Sequence, residues 1–318
     1  MHDAPAPTRT LTFGRRLAAA TLAAALVATA HAAALVSDAV VDADWLEAHL
    51  DDPTVRVFEV SVQPGQFERG HVPGAVNLVW HTDLVDPVVR DIVPADRFEA
   101  QLRAAGVNAD TTVVLYGDNS NWFAAWGAWI FEVYGVADVR LLDGGRASWE
   151  AQGRPLSARP TAYAEGTFEV VAPRPELRAR LADVLDVVEG RADAQIVDIR
   201  SPAEYEGRVF APEGVQELAI RAGHIPGAVN VPWSQAVRPD GTFKSREELE
   251  ALYGAVGVDG ARPVIVYCRI GERSSHTWFV LSRILGYEVR QYDGSWTEWG
   301  NTVGVPITNL AGTVWGGR

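Results

Sequence analysis

Short unbroken apolar runs alternate with stretches of helical periodicity along most of the chain. Val55–Val60, Val113–Tyr116 and Val139–Leu142 predict strands, and Asp96–Ala105 and Trp122–Tyr134 predict helices. The alternation then returns, with strands expected at Gln195–Ile199, Val264–Tyr267 and Glu288–Tyr292. Helices are expected over Glu176–Glu189, Ser245–Ala255 and Ser275–Leu285. Strand runs without polar alternation, separated by helices, predict α/β architecture with a mainly parallel sheet covered by helices on both faces. Ser245 followed by Glu248 is a capping box, which satisfies free N–H groups at a helix start. The stretch from Gln152 to Pro175 carries four prolines and no helical period, and reads as a linker.

The pattern is doubled in sequence as well as in period. Gly70-His71-Val72-Pro73-Gly74-Ala75-Val76-Asn77 returns as Gly223-His224-Ile225-Pro226-Gly227-Ala228-Val229-Asn230. Tyr116 matches Tyr267, Asp143-Gly144-Gly145 matches Asp293-Gly294-Ser295, and Val57–Val60 matches Ile196–Ile199. Landmarks in one order at near-constant spacing mean that one domain is written twice. The boundaries expected from this are a first domain over 36–155, a linker over 156–175, a second domain over 176–308 and a tail over 309–318. The tail is Gly-rich beyond Leu310 and is expected to fray.

The two copies differ where the second strand of each ends. In the second copy Val264–Tyr267 runs into Cys268, the only cysteine in 318 residues. Arg269-Ile270-Gly271-Glu272-Arg273 follows, and then Ser274 and Ser275 open an apolar helical stretch. A lone thiol in a strand–loop–helix elbow, flanked by two arginines and a glycine, is a place to build a reactive thiolate. In the first copy the same position is Gly117, followed by Asp118, Asn119 and Ser120, and no thiol can act there.

Composition narrows the possibilities. Hydrophobic content of 47% and charged content of 22% suit a soluble globular protein with a full core. A net charge of −13 argues against a sequence-independent nucleic-acid binder. One cysteine excludes an intramolecular disulfide and an all-cysteine metal site. No metal-binding, P-loop or dinucleotide fingerprint is present, so neither metal nor nucleotide cofactor is implied. Residues 1–34 are different in kind: Arg15 and Arg16 precede the apolar Leu17–Ala30, and Ala30-His31-Ala32 is an A-x-A triplet. That is the layout of a cleavable signal peptide, too short for a membrane span, and predicts export; a cytoplasmic protein with an Ala-rich extension is the alternative.

The doubled domain, the Asp198-Ile199-Arg200 triplet, the G-H-I-P-G-A segment and the cysteine loop together resemble the tandem rhodanese-type sulfurtransferases. Cys268–Phe279, Asp293–Trp299 and Asn121–Ala125 are especially similar to actinobacterial thiosulfate sulfurtransferases. The resemblance covers about residues 36–308. It implies two rhodanese-like domains, the first non-catalytic and shaping one wall of an interdomain cleft. It implies a sulfurtransferase that moves the sulfane sulfur of thiosulfate to a thiophilic acceptor, cyanide or a thiol, including a thiol protein. The carrier would be a persulfide on Cys268. No cofactor is implied, and a monomer suffices because two fused copies supply the cleft.

The residue types around Cys268 suit that chemistry. Loop N–H groups, the positive end of the following helix and the charges of Arg269 and Arg273 can each favour a thiolate. Gly271 allows the turn, and Arg269, Gly271, Arg273 and Ser274 are the expected substrate-binding residues. Related phosphatases resemble C-x5-R, whereas here the fifth residue after the cysteine is the arginine and the sixth is Ser274, a ring one residue short. Arg269 favours a dianionic donor, while mercaptopyruvate enzymes of the family carry a small residue there. 3-Mercaptopyruvate is the alternative donor; phosphatase chemistry or a non-catalytic sulfur-binding module are further alternatives. Animal-type members carry a substrate arginine where this chain has Glu204, which leaves Arg208 or Arg221 as supplementary anion ligands. Trp80, His81 and Asp83 are candidates for the cleft. His71, His224, His276 and the Asp198–Arg200 pair are expected to be structural.

Overall fold

Two parallel sheets form where the apolar runs predict them. In the computed structural model, which describes residues 1–2, 37–171, 173–215 and 218–314, the first sheet contains β1 (Val40–Val41), β2 (Val55–Glu59) and β3 (Val76–Asn77). The hairpin β4 (Val85–Asp86) and β5 (Asp91–Ile92) stands outside it, and β6 (Thr112–Tyr116) and β7 (Asp138–Leu142) complete it. Its strand order is β1-β7-β6-β2-β3. The second sheet has the order β11-β10-β8-β9, from β8 (Gln195–Asp198), β9 (Val229–Asn230), β10 (Val264–Tyr267) and β11 (Val289–Gln291). Within both sheets every pairing is parallel. The proposed signal segment, with its arginine pair, apolar stretch and A-x-A triplet, lies outside the described residues. No helix among those described is long and apolar enough to cross a membrane.

The halves share a core. The helices Trp122–Val133 and Glu272–Phe279, which follow the two elbows, pack against each other, and one hydrophobic cluster runs from Phe58 and Trp129 to Trp278 and Val289. Trp122 meets Trp233 edge-on at 4.7 Å, and Phe243 N–H donates to Asp143 of the other half at 2.9 Å.

Three sequence expectations are corrected. Glu176–Glu189 is not one helix: Pro175–Leu177 is a 3-10 turn and the helix is Leu181–Val188. Between them Ala179 N–H is taken by the Gln291 carbonyl at 2.8 Å, which holds the chain extended beside β11. The helix expected over Ser275–Leu285 starts earlier, at Glu272, and passes into a π-helical turn at Val280–Ile284. The tail does not fray at once: Ala311 N–H donates to the Glu206 carbonyl at 2.9 Å and Val314 bridges Arg221. The capping box at Ser245 is present, with the helix Arg246–Gly254 behind it.

The repeats bury the same polar cluster by different routes. In the second, Arg200 reaches Asp198 (2.6 Å) and the Gly223 carbonyl (2.7 Å), and Tyr267 donates to Asp198 (2.6 Å) while accepting Ile225 N–H. In the first, Tyr116 donates to Glu59 and accepts Val72 N–H at 2.9 Å. The guanidinium there comes from Arg146, which reaches Glu59 at 2.8 Å and the Gly70 carbonyl. At the repeat position of Arg146 the second copy has Trp296, on which Arg200 stacks at 4.7 Å. His71 and His224 also match: each stacks on an aromatic ring, Phe67 or Tyr205, and hydrogen-bonds that residue's carbonyl.

Candidate active site

Cys268 leaves the sheet at the carboxyl end of β10, where open parallel sheets place their ligands. The residue is fully buried. Its N–H donates to Ser295 Oγ at 3.1 Å, and its carbonyl accepts Trp296 N–H at 3.1 Å. The Arg269 carbonyl accepts Thr297 N–H at 2.8 Å, so the segment after β11 buttresses the loop from one side. Gly271 N–H points at the sulfur, 3.1 Å from Sγ, and Ser295 Oγ lies 4.0 Å from it.

Gly271 has φ +106°, and a Cβ there would sit 2.5 Å from the Asp293 carbonyl oxygen. Only glycine fits so close to that backbone. The turn lets the next residue, Glu272, begin the helix, with its N-terminal end toward the loop. Gln291 Nε2 donates to the Gly271 carbonyl at 3.1 Å and pins it from β11.

The expected substrate residues are all brought to this loop, in different settings. Ser274 is fully buried and is the third helical residue rather than its cap; its hydroxyl donates to the Gly271 carbonyl at 2.7 Å. Arg273 faces Glu204 at 3.3 Å and lies over the Trp122 ring of the first half at 5.8 Å. Glu204, buried, also closes a capping box with Ser201. The carboxylate standing where a substrate arginine was expected therefore holds a loop arginine. Arg269 is half-buried, and its charge acts on Glu272. Arg221 is corrected: its guanidinium donates to the carbonyls of Trp299, Gly300, Thr302 and Val305, and is spent on the fold. Arg208 is exposed and pairs with Glu206.

A cleft of about 190 Å³ opens onto the loop. Ile270, Glu272 and Asp293 form its wall on the second half, and Trp80, Trp126 and the β4–β5 hairpin, including Arg90, its wall on the first. Trp80 thus lies where expected, whereas Asp83 caps its own helix through Val79 N–H. Glu272 is 6% exposed, and burial pushes its carboxyl up to about 8, against the opposing pull of Arg90 and Arg269. Ser295, at φ +52°, and Glu272 are the participants that sequence reasoning missed. The D-G-S repeat of D-G-G was a usable signal for Ser295, since the first copy has a glycine at φ +57° there. His276 is fully buried beside Trp233 and Phe243, with neither ring nitrogen hydrogen-bonded, and burial lowers it to about 3. Among the described residues no His, Cys, Asp and Glu cluster is placed to hold a metal ion.

A profile of the Rhodanese-like domain matches residues 42–152 and again 181–302. The chain is 50% identical over 276 residues to "Sulfur carrier protein TtuD" of Thermus thermophilus, covering 85% of this chain and 96% of that one. It is 49% identical to a "Putative thiosulfate sulfurtransferase" of Mycolicibacterium smegmatis, covering 85% and 98%. Among solved structures, the 3-mercaptopyruvate sulfotransferase SseA of Escherichia coli superposes with a TM-score of 0.70 at 32% identity, over 82% of this chain and 99% of that one. EanB, in a cysteine-persulfide form with ergothioneine, superposes at 0.74 with 26% identity, over 86% and 70%.

Proposed function

This chain is a rhodanese-family sulfurtransferase with two rhodanese domains in tandem, and from that premise we propose that it takes the sulfane sulfur of thiosulfate onto Cys268 and passes it to a thiophilic acceptor. The observation that carries this is the elbow of the second half: a thiol at the end of β10 with a backbone N–H 3.1 Å from its sulfur. The corresponding elbow of the first half has no thiol.

The steps balance without a cofactor. The Cys268 thiolate attacks the outer sulfur of thiosulfate, the S–S bond of the donor breaks, and sulfite leaves with the bonding pair. The persulfide then yields its outer sulfur to the acceptor, and the pair of the enzyme's S–S bond returns to Cys268. This is covalent catalysis in two half-reactions. Gly271 N–H and the helix end that follows supply fixed dipoles where negative charge is exchanged. Arg269, next to the sulfur-bearing residue, supplies the positive charge that a dianionic donor needs.

Likeness to SseA keeps 3-mercaptopyruvate as the competing donor. Steady-state thiocyanate formation from thiosulfate and cyanide separates the readings. Parallel double-reciprocal lines, and a kcat/KM for thiosulfate above that for mercaptopyruvate, are expected. A higher value for mercaptopyruvate would replace the donor, and no turnover with either would remove the catalytic reading.

A further inference from the structure

The cleft beside the cysteine loop has a composition that a small inorganic acceptor does not require. Trp80, Val85, Ile92, Trp126, Leu218 and Ile270 supply most of its lining, and its volume of about 190 Å³ exceeds what cyanide fills. Three carboxyl groups reach this space: those of Asp91 and Asp293 are both held by Arg178, and the third is that of Glu272 at the first position of the helix behind the loop. Gly271, the residue before it, is the one whose N–H touches Cys268 Sγ. No guanidinium among the described residues lies within ion-pair distance of Glu272. A backbone N–H bonds the carboxylate, but a carboxyl buried without a counter-ion tends to spend time uncharged.

Resting on the sulfurtransferase reading, the geometry points to Glu272 as the base that takes the proton from an apolar-bodied thiol acceptor seated in this cleft. The acceptor's S–H bond breaks, and its proton goes to the Glu272 carboxylate. The resulting thiolate attacks the outer sulfur of the Cys268 persulfide, a new S–S bond forms on the acceptor, and Cys268 departs as thiolate. The proton on Glu272 then passes to water. Nothing is oxidised or reduced beyond the sulfur that changes hands.

The charged neighbours support a base that can work near neutrality. From the β4–β5 hairpin Arg90 and Asp91 line the cleft, from the cysteine loop Arg269 acts on Glu272, and from the segment after β11 comes Asp293. Arg178 ties Asp91 and Asp293 together. Burial outweighs these charges and raises Glu272 to about 8. A cysteine-type thiol titrates at about 8.5, so proton exchange between the two is nearly balanced, the condition under which general base catalysis is most effective. The neutral form that dominates below that value adds no further negative charge to those of Asp91 and Asp293 in the path of a dianionic donor.

The test uses full-length protein and two acceptors of similar bulk, benzyl mercaptan and pentafluorothiophenol, the second already ionised at pH 7. Persulfide is first loaded from thiosulfate, and its single-turnover discharge is followed. In E272Q, discharge to benzyl mercaptan falls by about 100-fold or more, the range for loss of a general base. Discharge to pentafluorothiophenol stays within about threefold, because that acceptor has no proton to give. Equal losses, or no loss, with both thiols overturn the inference while leaving the sulfurtransferase reading intact. Failure of wild-type protein to load persulfide overturns both. Should E272Q not fold, the wild type still decides the matter: a solvent deuterium effect is expected with benzyl mercaptan and none with pentafluorothiophenol, and equal effects refute the assignment.

Discussion

The elbow at Tyr116–Trp122 and the elbow at Tyr267–Glu272 are built on the same strand of the same fold, yet they fill their interiors with different chemistry. In the first, Gly117 N–H donates to Asn121 Oδ1 at 3.0 Å, and Asn121 Nδ2 donates to the Leu142 carbonyl at 2.7 Å. Asn119, Ser120 and Asn121 all take positive φ to bring that amide inward. In the second, the hydroxyl of Ser295 takes the N–H of Cys268, and the space belongs to the thiol, with Gly271 as the one left-handed residue of the loop. A supporting elbow is closed by an amide that satisfies its own backbone. The working elbow leaves the buried sulfur with a donor aimed at it.

The difference is not one substitution deep, and the most disruptive way to show this is to put the thiol into the first elbow. A Cβ at Gly117 would lie 2.2 Å from the Val60 carbonyl oxygen and 3.0 Å from its carbon, so backbone must move. G117C is expected to lose about 1–3 kcal/mol of stability, the range for overpacking. It should acquire no second persulfide on incubation with thiosulfate. Chemical denaturation and the mass of the peptide containing position 117 check both. A stable G117C protein that carries two sulfurs would mean that the thiol alone separates the copies.

Histidine sharpens the comparison from another side. His71 and His224 occupy matched positions and have carbonyl partners, but His276 belongs to the second half alone and has none. Its folded value lies near 3, below its ordinary 6.5. The unfolded chain therefore binds the proton first as pH falls. Stability from this residue is complete above about 6.5 and declines toward 3 by about 1.4 kcal/mol per pH unit. H276F should flatten that part of the pH–stability curve; an unchanged slope would show that His276 does not carry it.

Much of this was legible in the chain because it rests on local pattern. Apolar runs gave the strand at Val264–Tyr267 and, as Val113–Tyr116, all but the first residue of Thr112–Tyr116, and Ser245 with Glu248 gave a helix start. The repeat located the one thiol that the fold does not require. What could not be read depends on distant partners. Arg146 replaces Arg200 from a different place in the sequence, so no spacing rule links them. The extended break at Arg178–Arg180 exists because β11 takes the Ala179 N–H. Arg221 looked available for an anion, but four carbonyls from one downstream turn converge on it. Glu272 was given no role of its own in the sequence, and only the packing of Trp80, Trp126 and the β4–β5 hairpin against it reveals a buried carboxyl.

The central claim, that sulfur is carried on Cys268 and nowhere else, is met most directly by the intact mass of the protein after thiosulfate treatment. Wild-type protein should gain the mass of one sulfur atom, lose it on addition of cyanide, and show no gain as C268S. A sulfur adduct on C268S, or none on the wild type, would contradict the account.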